Sequence, residues 1–164
     1  MEKLLLILIL LCPTGIFADV LPEANGIALA GVKEFALMIR ASTTPRFESR
    51  YPQNSFAEQI LAPLESNLRR DGVVIDYNNS DVIFCDMTAL DVATGNEDEI
   101  AETAYFLQIS YYLKAPEGVD DLIWQNSGLY IESGEALAPN LIAGNCADLF
   151  LTEWLRWNIR QATP

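Results

Sequence analysis

The side chains in this sequence that could perform acid–base or metal chemistry are almost all carboxylates. The 164 residues include 23 Asp and Glu, 10 Lys and Arg and no histidine, which gives a formal net charge of −13. Without histidine, the chain cannot form a Ser-His-Asp triad, a Cys-His pair or a His-ligated metal site. The negative charge also disfavours binding to phosphate backbones and anionic lipids. We therefore predict no catalytic residue, metal, cofactor or nucleic-acid partner.

The densest run of carboxylates is Asn96-Glu97-Asp98-Glu99, with Glu102 close behind it. Its spacing lacks the alternating oxygen ligands and the central glycine of an EF-hand, so it does not predict a calcium loop. Two carboxylates can serve as acid and base in glycoside hydrolysis. In so acidic a chain some pair is always available, and the composition singles out none.

The first 18 residues have the layout of a secretory signal peptide. A positively charged start precedes the unbroken apolar run Leu4–Leu11, and the small residue Ala18 stands at the expected cleavage site. The apolar run is much shorter than the roughly 20 residues that a membrane-spanning helix needs. We expect residues 1–18 to be a signal peptide and residues 19–164 a single exported domain, periplasmic or else secreted, with no transmembrane segment.

Cleavage after Ala18 would leave Cys85 and Cys146 as the two thiols of the exported chain. The third cysteine, Cys12, follows Leu11, whereas a lipoprotein signal has a small residue there, so we do not expect lipidation. Two cysteines in an oxidising compartment favour a disulfide between Cys85 and Cys146. The alternative is a pair of separate buried thiols.

Apolar periodicity predicts two amphipathic helices. In the first, a stripe recurs every four residues, the sequence Ser55-x-x-Glu58 matches a capping box, and Gly72 closes the last turn. Pro63 should kink this helix or mark a restart. The second helix is predicted from about Pro139 to Asn158. The first stripe comprises Phe56, Ile60, Leu64 and Leu68, and the second Ile142, Cys146, Phe150, Trp154 and Trp157.

The other segments with β-rich or alternating patterns predict strands over 32–42, 73–77, 82–92, 105–114 and 122–133. A short loop containing proline and glycine joins the last two, which indicates an antiparallel hairpin. Adjacent strands with helices at both ends of the run are typical of the α+β class. We predict a single, mostly antiparallel sheet of four or five strands, covered on one face by two helices.

Charge is distributed unevenly along this predicted domain. Residues 33–70 hold six basic and four acidic side chains, whereas residues 71–153 hold sixteen acidic side chains and one basic one, Lys114. A polarised surface of this kind can orient a binding partner. The alternative interpretation is an acidic surface that serves solubility.

Four residues are candidate partner contacts. Arg46 and Arg50 lie in a predicted loop with Phe47 and Tyr51, and arginine beside aromatic rings can bind a peptide or a carboxylate. Trp157, near the end of the second helix, could anchor an interface. We therefore select Arg46, Arg50, Tyr51 and Trp157, with ordinary packing as the alternative for each.

Two motifs carry a resemblance to known proteins. They are Leu64-Glu65-x-x-Leu68-Arg69-Arg70-x-Gly72-Val73 and Phe150-Leu151-x-Glu153-Trp154-Leu155-x-x-Asn158, with a strand carrying Trp124 between them. The chain thereby resembles a group of uncharacterised small exported bacterial proteins that combine an LR-x-x-G helix with an F-x-x-x-WL-x-x-N ending. Its element order is similar to the small α/β domains of bacterial envelope accessory proteins, of the curli secretion and lipopolysaccharide assembly type. This resemblance implies action through protein–protein contacts.

We accordingly expect an exported binding or assembly module without enzymatic activity, whose partner is an envelope or secreted protein. Two alternatives stay open: a hydrolase that uses carboxylates of the acidic half, and a soluble carrier of a small apolar ligand. Converging carboxylates in a pocket would favour the hydrolase. An internal apolar cavity between helices and sheet would favour the carrier. An exposed sheet edge or an apolar patch near Trp157 would favour the binding module.

Overall fold

The computed structural model describes residues 26–48, 52–92, 102–114, 120–133 and 137–158. The predicted signal peptide, the acidic run at 96–99 and two candidate contacts, Arg50 and Tyr51, lie outside these ranges. In chain order the elements are a 3₁₀ turn Ile27–Leu29, β1 Glu34–Ser42, α1 Pro45–Glu48, α2 Gln53–Arg70, β2 Val74–Ile75, β3 Asp81–Val92, β4 Glu102–Lys114, β5 Asp120–Ser133 and α3 Pro139–Asn158.

The described strands form one five-stranded sheet in the order β2-β1-β3-β4-β5. Strand β1 pairs in parallel with both β2 and β3, while β3, β4 and β5 pair antiparallel. The parallel pairing of β1 with β2 follows from the connection between them, because a helix that crosses the sheet returns the chain in the same direction. The sheet is therefore mixed, and the predicted α+β class with two helices on one face is confirmed.

The first long helix, α2, buries the predicted stripe of Phe56, Ile60, Leu64 and Leu68 completely. Its start differs from the prediction. The helix begins at Gln53, and the Ser55 hydroxyl donates a hydrogen bond to the Pro52 carbonyl at 3.0 Å, so Ser55 does not cap the helix. Pro63 lies within one continuous helix, and no restart occurs there.

The end of α2 fixes β2 beside it. Gly72 takes the left-handed conformation with φ of 93°, which glycine adopts without strain. The Arg69 guanidinium forms an ion pair with Glu65 at 2.7 Å and donates a hydrogen bond to the Ile75 carbonyl at 2.8 Å. The Tyr77 hydroxyl donates to the same Glu65 carboxylate at 2.6 Å and lowers its pKa. This cluster joins the helix C-terminus to the edge of the sheet.

Phe150 of α3 lies at the centre of the layer between helices and sheet. Its ring is fully buried and contacts Phe35 of β1 at 5.5 Å between ring centroids, edge to face. The rings of Trp124 on β5 and Trp154 on α3 lie 5.9 Å and 6.4 Å away. Because these contacts reach both a parallel and an antiparallel part of the sheet, Phe150 holds the helix across several strands.

The disulfide that the sequence favoured is present. Cys85 on β3 and Cys146 on α3 are bonded, both are fully buried, and they stand 61 residues apart in the chain. The bond joins the middle of the sheet to the buried stripe of α3. It therefore closes a long loop that contains the β3–β4–β5 meander.

Replacement of the central ring tests the packing. We expect Phe150→Ala to lower the free energy of unfolding by about 3–5 kcal/mol, because it removes a buried ring and leaves a cavity. Leu141→Ala is the matched control, since Leu141 lies in the same helix and is 40% exposed. It should change stability by no more than about 0.5 kcal/mol. Urea unfolding measures both, and equal losses would contradict the central position of Phe150.

Removal of both thiols tests the disulfide. We expect the double variant Cys85→Ala and Cys146→Ala to lose about 4 kcal/mol of unfolding free energy, because the unfolded chain is no longer constrained over 61 residues. Reduced wild-type protein should show a similar loss in chemical denaturation. Intact mass after alkylation without reductant provides the check, and two alkylated cysteines in the exported protein would disprove the bond.

Candidate functional site

Only one face of the sheet lies against α2 and α3. Along β4, Tyr105, Leu107, Ile109 and Tyr111 are buried toward the helices. The residues between them point to the other side, which we call the open face. It comprises Met38, Arg40, Val82, Phe84, Asp86, Thr88, Leu90, Ala104, Phe106, Gln108, Ser110, Tyr112, Leu122, Gln125, Ser127, Leu129 and Ile131.

A groove of about 480 Å³ lies at one end of the open face. Its apolar floor is formed by Met38, Val82, Phe84 and Tyr112, and its polar lining by Lys114 and Asp120. The Phe84 and Tyr112 rings meet at 6.4 Å, close to edge-on. The groove therefore combines an apolar floor with two charged residues, Lys114 and Asp120, which are paired across β4 and β5.

At the other end of the open face lies a group of four large apolar side chains that we call the apolar patch. It consists of Leu90, Phe106, Leu129 and Ile131. Leu90, Ala104 and Ile131 are neighbours across β3, β4 and β5, and the next row places Phe106 beside Leu129. Leu129 and Ile131 are 64% and 62% exposed, more than any other large apolar side chain that the structure describes. Because the side chain of Ala104 is small, the surface is recessed between Leu90 and Ile131.

A polar row separates the groove from the apolar patch. Arg40, Asp86, Gln108 and Ser127 are neighbours across four strands. The Arg40 guanidinium forms an ion pair with Asp86, with one hydrogen bond of 3.0 Å, and lies 5.4 Å from the centre of the Phe84 ring. The hydrogen bond and charge of Asp86 raise the pKa of Arg40. The row places hydrogen-bonding groups between two apolar areas.

The helix-facing side holds two tyrosines whose hydroxyl groups stay protonated to high pH. Burial raises the pKa of Tyr105 to about 12, and its hydroxyl accepts a hydrogen bond from Asn145 at 2.8 Å. Burial, together with the Asp81 carboxylate, raises the pKa of Tyr111 to about 12. Burial in turn raises the pKa of Asp81. Both phenols are therefore protonated near neutral pH.

The predicted partner contacts lie away from the open face or outside the described side chains. Arg46 belongs to α1, but its side chain is not described, and Arg50 and Tyr51 fall outside the ranges. Trp157 is half-buried at the end of α3, so close to Gly26 that a Cβ atom there would lie 2.4 Å from its Nε1 atom. The role of these four residues as partner contacts stays a prediction.

The described part of the chain shows neither a metal-binding cluster nor a membrane-spanning helix. Within those ranges, no group of three or more His, Cys, Asp or Glu residues is placed to hold a metal ion. None of the described helices combines the length and apolar character needed to cross a membrane.

Sequence reasoning missed the open face. On the outward side of β4 the polar residues Gln108, Ser110 and Lys114 indicate a solvated surface, but Phe106 and Tyr112 lie on the same side. The available signal was the presence of large apolar residues at both odd and even positions of β4 and β5. That pattern is typical of strands with two apolar faces.

Known proteins resemble this chain in three-dimensional structure. No protein-family model matches the chain, and no curated protein matches it either. A PelC dodecamer from Paraburkholderia phytofirmans has 10% identity and a TM-score of 0.45, over 76% of this chain and 88% of that one. A minor lipoprotein from Acinetobacter baumannii has 11% identity and a TM-score of 0.40, over 76% and 95%.

A third solved structure is a putative neuraminyllactose-binding hemagglutinin homolog from Helicobacter pylori, with 10% identity and a TM-score of 0.39, over 77% of this chain and 83% of that one. With TM-scores below 0.5, the three structures bear on neither the mechanism nor the partner of this chain. The two sequence motifs that carry the resemblance stay a prediction.

Alkaline titration tests the burial of the two tyrosines. The unfolded chain ionises tyrosine near pH 10, so stability that is fully present below pH 10 should be lost as the pH rises toward 12. The loss amounts to at most ~3 kcal/mol for each of Tyr105 and Tyr111. In Tyr111→Phe, the free energy of unfolding should decrease less between pH 8 and pH 12 than it does in the wild type. The difference in ultraviolet absorbance between wild type and each of Tyr105→Phe and Tyr111→Phe gives the ionisation of that one tyrosine, and a difference that titrates near pH 10 would contradict the structure.

Proposed function

We propose that this chain is an exported, non-enzymatic binding module that docks a partner protein on the open face of its sheet. The observation that carries the proposal is the apolar patch, where Leu90, Phe106, Leu129 and Ile131 stand exposed together. Contiguous exposed apolar groups of this kind are typical of interaction sites in soluble proteins. Export is supported by the signal-peptide layout and by the disulfide.

The open face has the composition expected of a protein interface. Apolar groups lie at both ends, and the row of Arg40, Asp86, Gln108 and Ser127 lies between them. The distance from Phe84 in the groove to Leu90 in the patch spans six residues of β3, or roughly 20 Å. A partner helix of about 13 residues, laid along the strands, covers that length. Such a helix would give the sheet a layer on its second face.

The charge of the chain selects the kind of partner. A formal charge of −13 disfavours an anionic membrane surface and a second acidic copy of the chain. The face itself is nearly balanced, because Arg40 pairs with Asp86 and Lys114 lies opposite Asp120. We therefore assign the face to a protein with an apolar surface and neutral or basic surroundings.

The groove gives the ligand-carrier alternative a definite location. That hypothesis placed a ligand between helices and sheet, where the described side chains are closely packed around Phe150. The groove instead lies on the open face, and its volume falls within the range of small-molecule sites. A small apolar molecule that occupies the groove without any protein on the patch would favour the carrier over the binding module.

Site-specific crosslinking tests the binding module. A photoreactive amino acid in place of Phe106, on the open face, should give a discrete protein adduct in the cells that produce the chain. The same group in place of Leu141, on the outer side of α3, should not. A second substitution, Met38→Lys, should reduce the Phe106 adduct at least fivefold, because it places a charge in the apolar floor of the groove.

Several outcomes would overturn this proposal. One is a lack of protein adducts at Phe106, and another is the same adducts from Phe106 and Leu141. Recovery of the mature-length protein and its adduct from the cytoplasm alone would disprove export. Circular dichroism of each variant confirms that a lost adduct reflects lost docking and not unfolding.

A further inference from the structure

Strand β5 forms an edge of the sheet with unusual length. It has 14 residues, whereas β2 at the opposite edge has two. Natural edge strands are commonly protected by shortness, by proline, by lysine or by a bulge. Strand β5 contains no proline, lysine or arginine. The bulge of β5 lies at Ile123, opposite Tyr111 and Tyr112 of β4. From residue 125 to residue 133 the register with β4 is regular.

No strand pairs with the outer side of β5 among the residues that the structure describes. The strand is nevertheless held firmly from its inner side. Trp124 is buried, Asn126 donates a hydrogen bond to the Leu149 carbonyl of α3 at 3.1 Å, and Tyr130 stacks on Tyr105 at 5.3 Å. The edge is therefore ordered in advance, which lowers the entropic cost of pairing with another strand.

The most exposed apolar side chains lie on this same edge. Leu129 has Phe106 as its cross-strand neighbour and Ile131 has Ala104, each on the β4 side only. Side chains on the next strand outward would cover the other flank of both residues. Cross-strand apolar pairs stabilise a sheet by roughly 0.2–1 kcal/mol each. An added strand would therefore cover apolar side chains that this fold leaves exposed.

We infer that β5 accepts an extended segment of the partner protein as a sixth strand. The segment has apolar residues opposite Leu129 and Ile131 and basic residues toward its ends, because Asp121 stands near one end of β5 and Glu132 near the other. Backbone hydrogen bonds provide affinity in this mode of recognition, and alternate side chains provide specificity. The inference rests on the proposed function in naming a partner protein, but it assigns the strand edge and not the face.

A second copy of the chain fits this edge poorly. Antiparallel pairing of two β5 strands over their full length would place Asp121 of each copy opposite Glu132 of the other. Like charges directly opposite one another destabilise a sheet, and the symmetry would repeat the repulsion at both ends. The two chains would also bring together a formal charge of −13 each. A basic segment turns the same carboxylates into favourable contacts.

Three synthetic peptides of nine residues test the inference with the full-length purified protein. The first alternates lysine and valine. The second is the same peptide with N-methyl groups on three consecutive central amides, which block both of its edges while leaving its charge unchanged. The third has glutamate in place of lysine. Affinity is measured by calorimetry, and amide hydrogen exchange locates the contact within the protein.

We expect the first peptide to slow amide exchange in residues 120–133 and to bind at least tenfold more tightly than either of the other two. Leu129→Lys should weaken its binding at least tenfold, and Leu129→Thr should weaken it less while keeping a residue that favours strands. Leu141→Lys, on α3, is the matched control that should leave the affinity unchanged. Circular dichroism establishes that each variant is folded.

The inference is wrong if the N-methylated peptide binds as tightly as the first, if exchange slows elsewhere and not in β5, or if the protein alone dimerises through β5. These outcomes are separate from those of the crosslinking experiment. A Phe106 adduct without any effect of the peptides on β5 retains docking on the open face and rejects strand addition. Peptide binding to β5 without a Phe106 adduct retains strand addition and rejects docking on the face.

Discussion

The structure depends on one apolar layer, packed between two helices and one face of a five-stranded sheet. Strands lie about 4.8 Å apart and helices are roughly 10 Å across, so two helices side by side cover one face of such a sheet and no more. Phe150 and the Cys85–Cys146 bond lie in that layer and tie α3 to the strands. Every strand must therefore direct apolar side chains toward the helices. The composition of the other face is left free by this constraint.

An antiparallel sheet with one solvated face normally alternates apolar and polar residues, because the outer side faces water. Here the outer side instead exposes groups such as Leu129 and Ile131, separated from the groove by the Arg40–Asp86 pair. Exposed apolar surface favours self-association, and a formal charge of −13 opposes it by repulsion between copies. The negative charge therefore opposes the self-association that the exposed apolar side chains favour.

Much of the fold could be predicted from the sequence because its elements are strongly periodic. The helix α3 has the predicted bounds, Pro139 and Asn158, because its apolar stripe and the residues that flank the stripe indicate the same ends. The start of α2 could not be located in this way. Ser55 followed by Glu58 matches a capping box, but Pro52 is well suited to a position before a helix, and the helix begins two residues before the serine. Local capping motifs compete, and the surrounding packing decides between them.

Features that depend on contacts between distant residues were beyond sequence reasoning. The parallel pairing of β1 with β3 brings together Ala36 and Val82, which local periodicity cannot relate. The apolar patch has the same origin, because Leu90 and Ile131 become neighbours only through the registers of three strands. The candidate contacts chosen from sequence were arginines and aromatic residues within one loop or helix. The open face, by contrast, is assembled from four strands.

A bulge divides β5 into a distorted end and a regular end. Tyr111 pairs with Trp124 and Tyr112 with Leu122, so Ile123 is the extra residue. A bulge bends its strand and increases the local twist, so the backbone edge of β5 is most regular on the far side of Ile123. The regular part, from residue 125 to residue 133, is the part that carries Leu129 and Ile131. Edge and apolar patch therefore coincide at the end of the sheet away from the groove, and a strand added there would extend the apolar surface of the open face.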